Sequence, residues 1–218
     1  MFPPVYAVLD EDLLSMPAPQ YAQELISAGV DLIQYRAKHL PARKYLEVCS
    51  NLAETLANRD ARFIVNDRPD IAAMIGAGGV HVGQEDLPPE EARRICGSGR
   101  WVGVSTHNLQ QVRAAAKTSA DYIAVGPIFS TSTKEKPDAV VGTSFIREAR
   151  KLTQKPIVAI GGITRERAAE VYEAGADSIA VIRDLLATRD PAERAREFLA
   201  IAKRSQENSQ RSSRTEAS

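Results

Sequence analysis

The stretch Pro156–Ile182, PIVAIGGITRERAAEVYEAGADSIAVI, reads as strand, turn, helix, turn, strand. Pro156–Ile160 is a short apolar run without the polar alternation of a half-exposed strand, so it reads as buried on both faces. Gly161-Gly162-Ile163-Thr164 turns into a helical stretch over Ala168–Ala174. Gly175 ends that helix, and Asp177 precedes the next apolar run, Ser178–Ile182. Working outward, the same unit recurs along the chain. Further strand-like runs are Val5–Asp10, Leu32–Arg36, Phe63–Asp67, Gly79–Gly83, Trp101–Ser105 and Tyr122–Gly126. Between them, Tyr21-Ala22-Leu25-Ile26 has helical spacing with Gly29 as its cap. Tyr45–Leu56, Glu90–Cys96, Leu109–Ala116, Phe145–Leu152 and Pro191–Ala202 follow suit, the last capped by Asp190. Ile26–Asp31 and Tyr172–Asp177 share one pattern, a helix ending on glycine and an Asp before the next strand.

Eight strands alternating with helices is the count of a (β/α)8 TIM barrel, in the α/β class. An open doubly wound sheet shows fewer strands and a glycine-rich first turn, whereas the turn here is Asp10-Glu11-Asp12. The expectation is a single barrel domain over residues 1–204. The last fourteen residues, Ser205–Ser218, carry one apolar side chain, Ala217, and read as a disordered tail.

Of the 218 residues, 44% are apolar and 26% charged, which excludes a disordered or fibrous chain. The 28 basic residues balance 28 acidic ones, so no basic face for nucleic acid is expected. No apolar run approaches the ~20 residues of a membrane span, and MFPPVYAVLDEDLL does not read as a signal peptide. A cytoplasmic protein is expected. Cys49 and Cys96 are isolated and read as small buried apolar residues.

In a barrel of this type the chemistry sits where strands run into the following loops. The residues there are Gln34, Tyr35, Arg36 and Lys38 after strand 2, Asn66-Asp67 after strand 3, and Gly83-Gln84-Glu85-Asp86 after strand 4. Ser105 ends strand 5, Thr131-Ser132-Thr133-Lys134 follow strand 6, Gly161-Gly162 follow strand 7, and Arg183 follows strand 8. Two readings stay open for the acids. Asn66 or Asp67 would cap a helix starting near Pro69, and Asp86 one starting at Pro88-Pro89. Alternatively, two carboxylates in one mouth would repel each other unless a cation sat between them. Hard oxygen ligands favour Mg²⁺, which typically bridges carboxylates to a substrate phosphate. Arg36, Lys38 and Lys134 would then hold the remaining anionic oxygens. The diglycine after strand 7 would let backbone N–H groups approach a second phosphate. His81 reads as packed inside strand 4 and His39 as solvated; His107 either lines the mouth or caps a loop. No histidine pair has zinc-ligand spacing, and Gly103-Val104-Ser105 lacks the flanks of a nucleophile elbow.

The set Gln34-Tyr35-Arg36-Ala37-Lys38, Val65-Asn66-Asp67, His81–Asp86, Gly103-Val104-Ser105, Gly126–Phe129, Thr131–Lys134, Ile160–Ile163 and Ala174–Asp177 resembles the thiamine-phosphate synthase family across roughly residues 5–203. The resemblance implies a barrel enzyme that joins a hydroxymethylpyrimidine diphosphate to a thiazole phosphate, releasing pyrophosphate. It implies a pyrimidine-diphosphate site at Gln34, Tyr35, Arg36, Ala37, Lys38, Asn66, Ser105 and Lys134, with Arg36, Lys38, Ser105 and Lys134 in catalysis. Mg²⁺ would lie on Asp67 and Asp86. The thiazole phosphate would meet Thr131, Ser132, Thr133, Gly162, Ile182 and Arg183. Its partners would be the small-molecule substrates, with no nucleic acid and no membrane, as a monomer or a homo-oligomer. Two positions depart from the pattern: Ala37 stands where the family usually has an acid, and Arg183 where a serine often follows Ile182. A thiazole tautomerase of the same fold tends to lose the metal aspartates, which this chain retains, and a non-catalytic binder has no need of them.

Overall fold

The structure is a computed structural model describing residues 2–57, 59–131 and 139–216, with backbone alone over 209–216. Eight parallel strands close into a barrel in sequence order: β1 (Val5–Asp10), β2 (Leu32–Arg36), β3 (Arg62–Asn66), β4 (Gly79–Val82), β5 (Trp101–Thr106), β6 (Tyr122–Val125), β7 (Ile157–Ile160) and β8 (Ser178–Val181). β8 pairs back onto β1, with Val5 opposite Ile179 and Ala7 opposite Val181. Around this wall lie α1 (Ala18–Ser27), α2 (Ala42–Leu56), α3 (Pro69–Met74), α4 (Pro89–Cys96), α5 (Leu109–Ala116), α6 (Gly142–Arg150), α7 (Arg165–Glu173), α8 (Arg183–Leu186) and α9 (Pro191–Glu216). The single-domain α/β barrel read from the sequence is the architecture found. The short α8 gave no periodic signal, since one helical turn is too brief to show one.

The strands are buried on both faces. One set of side chains, including Ala7, Leu9, Ile33, Val65 and Ile179, packs outward against the helices. The other set, Tyr6, Val8, Leu32, Ile64, Tyr122, Ala124, Val158 and Ala180, fills the barrel interior. Its lower end is plugged by Phe2 stacked on Trp101 at 5.0 Å, with the Arg62 guanidinium over the indole. Cys49 and Cys96 are buried thiols in the outer layer, and burial pushes Cys49 up to about 12.

Gly29 and Gly175 close α1 and α7 with positive φ (99° and 104°), and the backbone wraps back onto the last helical turn in both. The Asp before β8 has a further use. Asp177 accepts from the Ile157 N–H at 2.7 Å and pairs with Arg150, whose other contacts include the Thr153 and Lys155 carbonyls. Asp121, before β6, repeats this: it accepts from the Val102 N–H at 2.6 Å and pairs with Arg93. Each carboxylate therefore satisfies an N–H at the start of the preceding odd-numbered strand, the first of β7 and the second of β5, and ties it to a helix.

The last helix runs to Glu216, through most of the stretch whose composition suggested a disordered tail. Its apolar half, with Phe198 and Ala202 fully buried, packs on α1 and α7. Extending a helix already nucleated adds a hydrogen bond for every residue fixed, so a polar continuation needs no core of its own. Among the described residues, no helix is long and apolar enough to cross a membrane.

Replacing Asp121 or Asp177 by alanine strands a buried strand-start N–H and an arginine. Each variant is expected to lose about 1–3 kcal/mol in urea unfolding, with near-additive losses in the double variant because the clasps share no residue.

Candidate active site

At the upper rim, the first charged pair comes from neighbouring strands. Asp10 and Arg36 end β1 and β2 and stand opposite in register, and the Arg36 guanidinium donates to the Asp10 carboxylate. Asp10 is only 2% exposed, so its charge is held in a low-dielectric position where the arginine is its compensation. The pair holds Arg36 at the rim against the end of β1. Pleat alternation sends Tyr35 the other way: its hydroxyl donates to Glu11 at 2.7 Å, and its ring stacks on Tyr45 at 5.4 Å. Of the contiguous run Gln34–Lys38, then, Tyr35 is not brought into the mouth, while Ala37 sits half-buried just beyond the strand.

The second cluster joins Lys38, Asp67 and Asp86. Asp67 leaves β3 with φ 61°, a left-handed backbone that only Asn, Asp and Gly adopt readily. That turn takes its carboxylate to Lys38, which donates to it. Burial raises Asp67 above the usual carboxylate range, and the nearby Asp86 carboxylate raises it further, against the lowering pull of Lys38. Neither acid caps a helix. The cap positions of α3 and α4 are Arg68 and Pro88, without side-chain cap bonds, and Asp86 instead accepts from the Gly83 N–H at 2.8 Å. The capping alternative for both acids is thereby removed. Among the described residues no cluster of three or more metal-type side chains exists. Two half-buried carboxylates beside a cation fit a Mg²⁺ ion that takes its remaining ligands from water and phosphate, not an all-protein cage.

Deeper in the mouth, Gln34 and Ser105 belong to one hydrogen-bonded system. Gln34 Nε2 donates to Tyr6 Oη at 2.7 Å, and Ser105 Oγ lies 2.9 Å from His81 Nε2. His81 was read from the sequence as packed; it is 7% exposed and packed, yet it also touches a predicted site residue. Asn66 is buried at the end of β3, where its carbonyl accepts from Tyr45 Oη at 3.0 Å. His107 ties the end of β5 to Gly126, its Nδ1 lying 2.7 Å from that carbonyl, and His39 is exposed.

On the opposite side of the mouth, the loop after β6 rests on the diglycine. A Cβ on Gly161 would come within 2.6 Å of Pro127 Cα, and one on Gly162 would overlap the Ser130 carbonyl. Both glycines have positive φ, 101° and 61°. They are required by this close approach of two loops as much as by any anion. Arg167 buttresses the corner, its guanidinium 4.8 Å from the Phe129 ring centroid and donating to the Gly162 carbonyl at 3.3 Å. Ile182 is half-buried where β8 ends, and Arg183 is exposed at the first position of α8. Thr131 is the last described residue of the β6 loop; Ser132, Thr133 and Lys134 lie outside the described residues. A groove of ≈ 1020 Å³ at the opposite end of the barrel, bordered by Arg62, Met74 and Trp101, includes none of the predicted site residues.

Sequence reading missed Asp10, Glu11, Tyr6 and Tyr122. An acid at the end of the first barrel strand was a usable signal for Asp10. The tyrosines gave none, because a tyrosine in an apolar strand looks the same facing helices or facing the barrel axis.

Residues 5–185 match the family described as thiamine monophosphate synthase. The chain is 49% identical over 205 residues to the thiamine-phosphate synthase of Koribacter versatilis, covering 91% of this chain and 95% of that protein. It is 43% identical over 187 residues to that of Shouchella clausii, covering 85% and 90%. Among solved structures, thiamine phosphate pyrophosphorylase from Pyrococcus furiosus superposes with a TM-score of 0.84 at 32% identity, covering 93% of this chain and 96% of that one.

The raised Asp67 carboxyl has a stability consequence. A carboxyl raised in the folded state binds its proton more tightly there than when unfolded, so its ionisation destabilises the fold as pH rises past the unfolded value of 3.8. In EDTA at pH 7, Asp67→Asn is expected to unfold at higher urea than the parent protein. The gain should vanish below about pH 3, where both states are protonated.

Proposed function

The chain belongs to the thiamine monophosphate synthase family, and we propose that the mouth described above carries out that family's reaction with the residue roles that follow. The activity itself is thiamine phosphate synthesis, a transferase step of thiamine biosynthesis. It condenses 4-amino-2-methyl-5-(diphosphooxymethyl)pyrimidine with 4-methyl-5-(2-phosphoethyl)thiazole, or its carboxylated form, and releases pyrophosphate.

In the proposed route, the bond between the pyrimidine methylene carbon and the diphosphate oxygen breaks first, and its electron pair leaves with pyrophosphate. The pyrimidinylmethyl cation is then captured by the thiazole nitrogen lone pair, forming the new carbon–nitrogen bond. No protein nucleophile is needed. Catalysis is leaving-group electrostatics plus alignment of two bound substrates. Arg36, held by buried Asp10, and Lys38 face the diphosphate, with Lys134 assigned there by resemblance. Gln34, Asn66 and Ser105 hold the pyrimidine ring. Thr131, Ser132, Thr133, Gly162, Ile182 and Arg183 take the thiazole phosphate. Asp67 and Asp86 would hold Mg²⁺, which when bound supplies positive charge against the departing diphosphate. Lys38, which donates to Asp67, stands where its ammonium would reach the oxygens of a bound diphosphate. The observation that carries this reading is the carboxylate pair, Asp67 and Asp86, which caps no helix and stands beside Lys38 on the rim that also carries Arg36.

Purified protein given both substrates is expected to form thiamine phosphate with Mg²⁺ and none in EDTA. Product in EDTA would overturn the metal role, and no product from folded protein under either condition would favour the tautomerase. Arg36→Gln is expected to cut kcat by roughly 10²–10³, and to lower the urea midpoint as well, because buried Asp10 loses its charge partner. At the second phosphate, Arg183→Ser is expected to raise the thiazole-phosphate KM by about fivefold, as for one exposed charge contact of roughly 1 kcal/mol. A flat or lower KM would remove Arg183 from the site.

A further inference from the structure

Inside the barrel runs a hydrogen-bonded chain that the route above does not use. From the Gln34–Tyr6 bond at 2.7 Å it passes to the Tyr122 hydroxyl, 2.9 Å from that of Tyr6. Tyr122 Oη lies 3.1 Å from His81 Nδ1, and His81 Nε2 lies 2.9 Å from Ser105 Oγ. The chain thus crosses the barrel axis, linking β2, β1, β6, β4 and β5. Tyr6 is 1% and Tyr122 0% exposed. Burial pushes both phenols well above their usual range, so both remain protonated donors. Gly103 makes the path possible: a Cβ there would overlap the Tyr122 phenol.

Each hydrogen in this chain has one direction available. An amide nitrogen only donates, so Tyr6 Oη accepts from Gln34 and passes its own hydrogen to Tyr122. Tyr122 therefore donates to His81 Nδ1, which must be unprotonated, and the neutral imidazole keeps its proton on Nε2. Nε2 donates to Ser105 Oγ, leaving the serine hydrogen for an acceptor in the mouth. At the other end, one hydrogen of the Gln34 amide nitrogen goes to Tyr6, which fixes the orientation of the amide and so the position at which its carbonyl oxygen accepts from a ligand. Reversing one link reverses all of them. A proton on Nδ1 would turn Tyr122 and then Tyr6 around, and Gln34 would present its NH₂ instead.

We infer that Tyr6, Tyr122 and His81 are positioning residues that fix an acceptor at Gln34 and a donor at Ser105, and thereby select a flat ring with an amino group on one edge and an unprotonated ring nitrogen on the other. The two ends stand on β2 and β5, three strands apart around the barrel, so they reach a bound ring from different sides. The 4-oxo analogue of the pyrimidine diphosphate meets Gln34 with an acceptor and is rejected. The inference rests on the assignment of Gln34 and Ser105 to the pyrimidine.

The test compares kcat/KM for the 4-amino substrate and its 4-oxo analogue in the parent protein, Tyr6→Phe and Tyr122→Phe. These changes remove one hydroxyl each and keep the ring packing. A site built to hydrogen-bond discriminates by far more than a shape-only site, so each variant is expected to lose discrimination by about tenfold or more, with thiazole-phosphate KM within about twofold. Gln34→Ala and Ser105→Ala form the control. If they leave pyrimidine KM and kcat unchanged, the pyrimidine assignment falls and this inference with it. If they impair the pyrimidine step while the tyrosine variants discriminate like the parent, this inference alone is overturned. A parent protein that turns over both analogues equally also overturns it. Nitrogen-15 NMR of the three histidines in the unmodified chain is independent of any variant's folding: a proton on His81 Nε2 is expected, and one on Nδ1 overturns the inference.

Discussion

The pairing of β8 back onto β1 turns an open sheet into a cylinder and sets eight C-terminal strand ends on one ring. Because the strands are all parallel, every loop that follows a strand opens on the same side. Residues from distant parts of the sequence, such as Asp10, Asp67, Ser105 and Gly162, are then neighbours by construction. The lower side does the opposite work. There the Arg93–Asp121 and Arg150–Asp177 clasps hold strand starts to helices, and Phe2 with Trp101 closes the axis. The lower end fastens the cylinder, and the upper end gathers the candidate site residues.

That division explains why the mouth tolerates arrangements a core would reject. Asp67 has a left-handed backbone and a carboxylate pushed toward protonation by burial and by Asp86. Each feature is unfavourable in the ligand-free protein. In the proposed function this is the position that would receive a divalent cation, with Lys38 beside it. The Asp10–Arg36 pair follows the same logic from the other direction, since a buried acid holds an arginine in an orientation a solvated arginine would not keep.

The barrel axis shows how a polar path can be kept inside an apolar cylinder. Five side chains from five strands satisfy one another in sequence, and only the two ends, Gln34 and Ser105, keep hydrogen-bonding capacity for the mouth. Among the described residues the Ser178 hydroxyl alone is buried without a partner, and it lies at the start of β8, away from this path. A path of this kind transmits direction, because a hydroxyl that accepts at one side is bound to donate at the other.

The sequence by itself determined the strand count, the order of elements and the fold class, because doubly buried strands and glycine-ended helices leave local, periodic signals. It also determined which residues stand at strand ends, since that follows from counting. It left undecided whether Asp67 and Asp86 cap helices or face a cation, because the short polar side chain that caps a helix is the same one that ligates magnesium. Tertiary structure removed the capping reading by giving the cap positions to Arg68 and Pro88. It turned Tyr35 out of the mouth, because neighbours on a strand face opposite ways however contiguous a motif looks. It gave the diglycine to loop packing, joined Arg36 to Asp10, and threaded Tyr6 and Tyr122 between Gln34 and Ser105. None of these is local: each depends on which strand lies next to or across from which, and that is fixed only when the barrel closes.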